Sequence, residues 1–80
     1  MTTPHHRPLH MIAADIRDHW AKPYFGAVPY VEAMNDLTSI NDTYFEDDAR
    51  TIVRYFLANA SSWRGDDARR IKNELKELIK

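Results

Sequence analysis

The sequence predicts an all-α class: a small four-helix domain with a C-terminal helical hairpin. Three observations predict it. With only two glycines and four prolines, the chain has long stretches without helix breakers. Apolar residues recur in several of these stretches at the i, i+3, i+4, i+7 spacing of one helix face. The tripeptide Trp63-Arg64-Gly65 separates the two clearest stretches, as expected of a turn between antiparallel helices.

The domain organisation follows from length and local composition. We expect residues 1–8 to form a flexible N-terminal arm, because two prolines and little apolar surface leave it nothing to bury. Residues 9–80 then form a single helical domain, and 80 residues suffice for one modest core. The chain has no cysteine, no signal-peptide pattern and no long apolar run. We therefore expect a cytoplasmic protein with no membrane partner.

The first half of the chain predicts two helices and a connector. Helix one begins near Leu9 and carries an apolar stripe that ends before Pro23. Residues 23–26 should form a turn whose aromatic rings help to close the core. Pro29 suits the first position of a short second helix. Residues 38–45 are expected to be a connector that is held by its apolar side chains, Ile40, Tyr44 and Phe45.

The second half predicts the central helix and the last helix. The apolar face of helix three consists of Ala49, Ile52, Val53, Phe56, Leu57 and Ala60. Gly65 should adopt a left-handed conformation after this helix, and Asp66 should be the N-cap of helix four. The apolar face of helix four consists of Ala68, Ile71, Leu75, Leu78 and Ile79. Trp63 continues the face of helix three, so it should wedge between the two helices.

The residue patterns give little support to reaction chemistry. The chain has four histidines, His5, His6, His10 and His19. Two of them lie in the predicted arm, so we expect no metal site and no cofactor. The carboxylate pairs at residues 47–48 and 66–67 stand at predicted helix starts, where capping explains them. Residues 61–62, two serines, lack the context of a nucleophile elbow. We therefore expect a protein that is not an enzyme.

Charge is divided unevenly along the chain. Residues 1–49 hold three Lys or Arg against eight Asp or Glu, a net of −5, whereas residues 50–80 hold eight against four, a net of +4. A helical projection at about 100° per residue groups four cations of helix four on one flank, Arg69, Lys72, Lys76 and Lys80. This flank is suited to phosphates or to an acidic protein, but the opposite, acidic flank would repel a nucleic-acid backbone.

Tyr55 projects away from the apolar face of helix three, close to two arginines. An exposed aromatic ring beside arginines suits a protein interface, while a ring packed on helix one would belong to the core. The basic flank of helix four is equally compatible with a solvated helix face. The candidate interaction surface consists of Arg50, Arg54, Tyr55, Arg69, Lys72, Lys76 and Lys80.

The most distinctive pieces of residues 49–72 are Tyr55-Phe56-Leu57 and Ser62-Trp63-Arg64-Gly65. In these pieces the segment resembles a group of small proteins encoded by actinobacterial phages and their hosts. The resemblance extends to residues 29–34 and 37–40, and so covers most of the chain after the arm. It implies a small cytoplasmic helical protein that is made during phage growth or from a prophage. It implies no particular reaction, and no catalytic residues can be transferred.

The expected function is therefore a non-enzymatic interaction protein, derived from a phage, that binds a host or phage protein. The alternative is a small nucleic-acid-binding protein that uses the basic flank of helix four, with help from Arg50, Arg54 or Arg64. A homodimer that covers part of the aromatic surface is a third hypothesis.

Overall fold

The computed structural model describes residues 7–80, which form mainly α-helices. The helices are α1 (Leu9–His19), α2 (Val28–Asn35), α3 (Ala49–Ala58) and α4 (Asp66–Leu78). Two short strands, β1 (Thr43–Tyr44) and β2 (Asp47–Asp48), pair antiparallel between α2 and α3. The class is therefore mostly α, with a small sheet that the all-α prediction did not include. Within residues 7–80, no helix is both long enough and apolar enough to cross a membrane.

The two-stranded sheet lies within and just after the predicted connector. Its register pairs Thr43 with Asp48 and Tyr44 with Asp47. A strand of two residues is too short to show the alternation of apolar and polar residues by which strands are predicted from sequence. Phe45, at the tip, has a positive φ of 55° and an 88% exposed side chain, so the prediction that it helps to hold the connector is wrong.

Asp42 holds the first part of the connector. Its Oδ2 accepts hydrogen bonds from the backbone N–H groups of Ser39 (2.9 Å) and Thr38 (3.0 Å). These bonds, that from Ser39 first, lower the pKa of Asp42 because they stabilise the carboxylate. The Asp42 carbonyl also accepts from the N–H of Ala49 at 2.9 Å, which joins the connector to the start of α3.

The start of α1 is tied to the chain that follows α2. The N–H of Leu9 donates to the Thr38 carbonyl (2.9 Å), and that of His10 donates to the Leu37 carbonyl (2.8 Å). These bonds satisfy two of the N–H groups that the first turn of a helix leaves free. The predicted arm, residues 1–8, reaches the described part of the chain only at its last two residues, and its first six lie outside it.

The core lies between the four helices. α1 has its most extensive contacts with α2, α2 also packs on α3, and α1 also lies against α4. The contact between α3 and α4 is less extensive. The arrangement of these two helices as a C-terminal hairpin therefore stays a prediction. The largest fully buried side chains are Phe56, Leu9, Ile12, Ile16, Met34, Leu37, Ile71, Leu75 and Val53. Every helix contributes to this set, and only Leu37 of the set lies outside a helix, two residues after α2. The helical members follow the spacing predicted from the sequence.

Three aromatic rings join the end of α1 to α3 and to the turn before α4. The rings of Trp20 and Trp63 are stacked, with centroids 5.1 Å apart and planes 6° apart. Both meet Phe56 edge to face, at 6.2 and 6.5 Å. Trp63 is only 4% exposed, so its predicted burial is confirmed. Such pairs each add about 0.5–1.5 kcal/mol to the stabilisation from buried area.

Gly65 forms the N-cap of α4, with φ of 113° and ψ of 179°. The predicted positive φ is confirmed, but the prediction that Asp66 is the N-cap is wrong. Because the chain reverses at Gly65 itself, Asp66 is already the first helical residue. No side chain of the described residues caps this helix start by a hydrogen bond.

Replacing Trp63 with alanine should lower the free energy of unfolding by about 3–5 kcal/mol, because a large buried ring leaves a cavity. Urea denaturation followed by far-UV circular dichroism measures this loss. Phe45→Ala is the matched control, since that exposed ring should change stability by no more than about 0.5 kcal/mol. Equal effects of the two substitutions would contradict the packing role of Trp63.

Replacing Gly65 with L-alanine should cost about 1–3 kcal/mol, because residues with a side chain rarely adopt this backbone conformation. A Cβ here would meet no atom within 4 Å, so the whole cost comes from the backbone. Chemical synthesis with D-alanine at this position provides the control, since the mirror-image residue accepts a positive φ. The D-alanine protein should unfold at nearly the same urea concentration as the natural chain.

Candidate interaction surfaces

The seven residues of the predicted interaction surface lie in separate regions. Arg50 has its Nη1 3.5 Å from the carbonyl oxygen of Leu78, at the far end of α4. Two residues, Arg54 and Tyr55, lie on the exposed side of α3. Three, Arg69, Lys72 and Lys76, line a groove beside α4. Lys80 lies outside that groove and pairs with Glu77 at 3.0 Å.

A shallow basic groove runs beside the first part of α4. Its volume is about 330 Å³, and its lining residues are Arg64, Gly65, Arg69, Lys72, Asn73 and Lys76. Four of these six residues are cations, and none of the described residues that line the groove carries a carboxylate. Sequence projection had grouped three of the cations, and the turn before α4 adds Arg64. We refer to this site as the basic groove.

Lys72 is fixed at the base of this groove. Its Nζ donates to the backbone carbonyls of Trp63 (2.6 Å) and Ala60 (3.0 Å), which lie just after α3. Burial lowers the pKa of Lys72, and repulsion from Lys76 and Arg64 lowers it further. Lys72 therefore stabilises the end of α3 as well as contributing charge to the groove.

A second region contains exposed aromatic rings near the end of α3. Phe25 is 80% exposed and Tyr24 is 45% exposed, so the prediction that the rings of this turn close the core is wrong. Ala27 is the fully buried residue of the turn. The physical reason is Gly26, where a Cβ would lie 2.6 Å from the Tyr24 ring and 2.8 Å from Asn59 Oδ1. The turn therefore approaches Asn59, at the end of α3, too closely to leave room for an aromatic ring between them.

Tyr55 belongs to this second region. Its ring lies 5.6 Å from that of Tyr30, centroid to centroid, at an angle of 49°. The ring thus packs on α2 rather than on α1, and it is 50% exposed. Tyr55, Ala58 and Asn59 share one face of α3 because they are spaced at i, i+3 and i+4.

A depression of about 310 Å³ accompanies these rings. It is lined by Tyr24, Ala58, Asn59, Ser61 and Ser62. Asn59 is held in place because its Nδ2 donates to the Tyr55 carbonyl at 2.8 Å. We refer to this depression, together with Phe25, Tyr30 and Tyr55, as the aromatic surface.

A network of ion pairs joins α1 to α4 and to Arg7, two residues before α1. The Arg7 guanidinium donates from Nε and Nη2 to the Glu74 carboxylate, at 3.0 and 2.6 Å. Its Nη1 lies 2.9 Å from Asp15 Oδ2, which also accepts from Arg70 Nη1 at 3.1 Å. The hydrogen bond from Arg70, followed by that from Arg7, lowers the pKa of Asp15. The hydrogen bond to Glu74 raises the pKa of Arg7.

His19 extends this network. Its Nδ1 lies 2.9 Å from both the backbone carbonyl oxygen and the Oδ1 of Asp15. The bond to the carbonyl, and the nearby charges of Asp67 and Asp15, raise the pKa of His19 above 6.5. Its contribution to stability is therefore complete below pH 6.5 and disappears as the pH rises through the folded-state pKa.

The two carboxylate pairs at helix starts behave differently. The capping role is confirmed at α3, where Asp48 Oδ1 accepts from the N–H of Thr51 at 2.8 Å, and this bond lowers the pKa of Asp48. At α4 the aspartates pair instead with arginines one turn later. Asp66 lies 3.4 Å from Arg69, and Asp67 lies 3.2 Å from Arg70.

Sequence reasoning missed some residues for which a signal existed. Asn73 lies four residues after Arg69 and three before Lys76, so the same helical projection places it within the basic flank. The exposure of Phe25 had a weaker signal, the glycine that follows it. No local pattern indicates that Arg7 reaches Glu74, because their contact depends on how α1 and α4 pack.

Comparison of the chain with models of protein families, with curated proteins and with solved structures finds no match in any of the three. Within residues 7–80, no group of three or more His, Cys, Asp or Glu side chains is arranged to hold a metal ion.

Replacing Asp15 with asparagine should lower the free energy of unfolding by about 1–3 kcal/mol near neutral pH, because charge-assisted hydrogen bonds to Arg7 and Arg70 are weakened. The pKa of Asp15 is lowered from 3.8, so its stabilisation is present above pH 3.8 and disappears as the pH falls through the folded-state pKa. Urea unfolding at decreasing pH should show the two proteins converging. Asp18→Asn, an exposed change on the same helix, is the control and should have little effect at any pH.

A pH-independent difference between the Asp15→Asn protein and the natural chain would show that the carboxylate charge is not the source of the stabilisation.

Proposed function

We propose that the chain is a non-enzymatic interaction protein that binds a partner protein through the aromatic surface. We also propose that it derives from a phage or prophage and acts on a host or phage protein in the cytoplasm. The observation that carries the binding proposal is the 80% exposure of the Phe25 ring, which lies 4.9 Å from the 45% exposed ring of Tyr24. The ring of Tyr55, on the same α3 face as Asn59, is also half-exposed. The resemblance of residues 49–72 to phage-encoded proteins supports the origin.

The energetic argument concerns the apolar area of these rings. A buried aromatic side chain removes about 150–250 Å² from water, and each Å² of apolar area contributes about 25 cal/mol. Leaving Phe25 and parts of Tyr24 and Tyr55 in water forgoes that stabilisation. A partner that covers them recovers it. Tyrosine and phenylalanine are enriched in protein interfaces, and tyrosine is frequent among the residues that dominate binding energy.

Contacts within the protein already hold these rings in place without a partner. Tyr55 rests against Tyr30, and Tyr24 lies 4.9 Å from Phe25, centroid to centroid, and against the backbone at Gly26. Side chains that are held in place lose less conformational entropy on binding. The aromatic surface therefore has the preorganisation that favours a specific contact.

Polar groups border the rings, as at the rim of a protein interface. Asn59, Ser61 and Ser62 line the depression and supply donors and acceptors for hydrogen bonds. Arg54 is exposed one residue before Tyr55 and can meet a carboxylate on the partner. The fitting partner presents an apolar side chain to the rings and polar or acidic groups around it.

Replacing Phe25 with alanine should reduce partner recovery roughly tenfold or more, which corresponds to a loss of about 1.4 kcal/mol or more. The measurement is an affinity pull-down from nuclease-treated bacterial lysate, quantified by mass spectrometry. Phe45→Ala is the matched control, because it removes a ring of similar exposure, 88% against 80%, that lies outside the aromatic surface. Circular dichroism verifies that both variants fold.

A photo-crosslinking residue at position 25 should capture the same partner, and one at position 45 should not. Equal recovery with both alanine variants would exclude the aromatic surface as the contact site. A crosslink only to a second copy of the chain, with concentration-dependent sedimentation, would replace the partner protein with a homodimer.

A further inference from the structure

The basic groove has a composition unlike that of the aromatic surface. Its cations are Arg64, Arg69, Lys72 and Lys76, and no carboxylate of residues 7–80 lines it. The charge is concentrated there although the whole chain has a net charge of −1. Arg69 approaches a carboxylate outside the groove, Asp66 at 3.4 Å, but both side chains are largely exposed and such pairs contribute little. The groove therefore retains most of its positive charge.

The cations of the basic groove repel one another, and binding of an anion would reduce this repulsion. Burial lowers the pKa of Lys72 most, and repulsion from Lys76 and Arg64, which line the same groove, lowers it further. Two of the three N–H donors of Lys72 are bound to the carbonyls of Ala60 and Trp63. The third donor remains for a ligand, on an ammonium whose position is already fixed.

The cations form a row along α4 that matches a polymer of phosphates. Arg69 and Lys76 are seven residues apart, so they lie about 10 Å apart along the helix axis. Lys72 lies between them, and Arg64 extends the row from the preceding turn. One strand of a duplex carries a phosphate about every 3.4 Å of axis, so the row faces about three phosphates. Asn73 supplies an amide that can bind phosphate or sugar oxygens.

The lining also discriminates between two classes of anionic macromolecule. Protein interfaces have apolar or aromatic anchors at their centre, and no apolar side chain of the described residues lines this groove. Interfaces with nucleic acid are more polar and much more positively charged. The absence of an aromatic ring among these lining residues means that contacts reach the backbone and not the stacked bases.

The acidic flank of α4, formed by Asp67, Glu74 and Glu77, repels a phosphate backbone less than the sequence indicates. Asp67 pairs with Arg70, and Glu74 pairs with Arg7 at 2.6 Å. Glu77 pairs with Lys80 at 3.0 Å. Because each carboxylate has a nearby cation, the acidic side of the helix presents little net charge to a phosphate backbone approaching from the other side.

We propose that the basic groove binds the phosphate backbone of nucleic acid, without sequence preference. This site is distinct from the aromatic surface and does not depend on the partner protein proposed for it. Contact with about three phosphates gives a modest affinity that falls steeply with salt, with a slope of log K against log salt of about −3 on duplex and about −2 on a single strand.

Fluorescence anisotropy with short labelled oligonucleotides of mixed sequence, duplex and single-stranded, tests this proposal. The full chain should bind at low salt with the slopes given above. The double substitution Arg69→Glu and Lys76→Glu should weaken binding at least tenfold. Lys72 is left unchanged because its bonds to the end of α3 serve the fold.

The matched control is Arg17→Glu with Lys22→Glu, which changes the net charge equally at two exposed cations outside the groove. It should weaken binding by no more than about twofold, because screening limits distant charges. Three outcomes would overturn the proposal. They are no binding by the natural chain at low salt, equal losses in both double variants, and competition by poly-glutamate as strong as that by unlabelled oligonucleotide. The last result would identify an acidic protein as the better occupant.

Discussion

The stacked rings of Trp20 and Trp63 are the constraint on which both surfaces depend. Trp63 fixes the turn between α3 and α4, and its carbonyl accepts from Lys72 at the base of the basic groove. Trp20 ends α1 and begins the loop that carries Tyr24 and Phe25. A shift of this stack would displace the ammonium in the groove and the rings of the aromatic surface together.

The parts of the fold that could be predicted depend on local spacing. Ile52, Phe56, Ile71 and Leu75 follow helical periodicity, and each is buried as predicted. The direction of Phe25 could not be predicted in this way. It depends on the close approach of Gly26 to Asn59, residues that are distant in sequence and meet only after α3 packs. The small sheet is also unpredictable, because two-residue strands have no measurable alternation.

The candidate sites show the same division between local and long-range information. Projection along α4 correctly grouped Arg69, Lys72 and Lys76, because they share one helical segment. It also included Lys80, which lies outside the groove because the helix ends at Leu78 and the periodicity does not continue. The structural role of Lys72 depends on carbonyls of the turn after α3, and helical projection carries no information about them.

The turn between α3 and α4 separates the two proposed binding sites. Ser61 and Ser62 line the depression of the aromatic surface, whereas Arg64 and Gly65 line the basic groove. Between them, Trp63 is 4% exposed and stacked on Trp20, and neither ring lines either site. A ligand shifts a second site only when it distinguishes between two conformations of the element that joins them. Because neither proposed ligand contacts the stacked rings that hold this turn, we expect the binding free energies of a protein partner and of nucleic acid to be additive, and neither ligand to alter the affinity of the other.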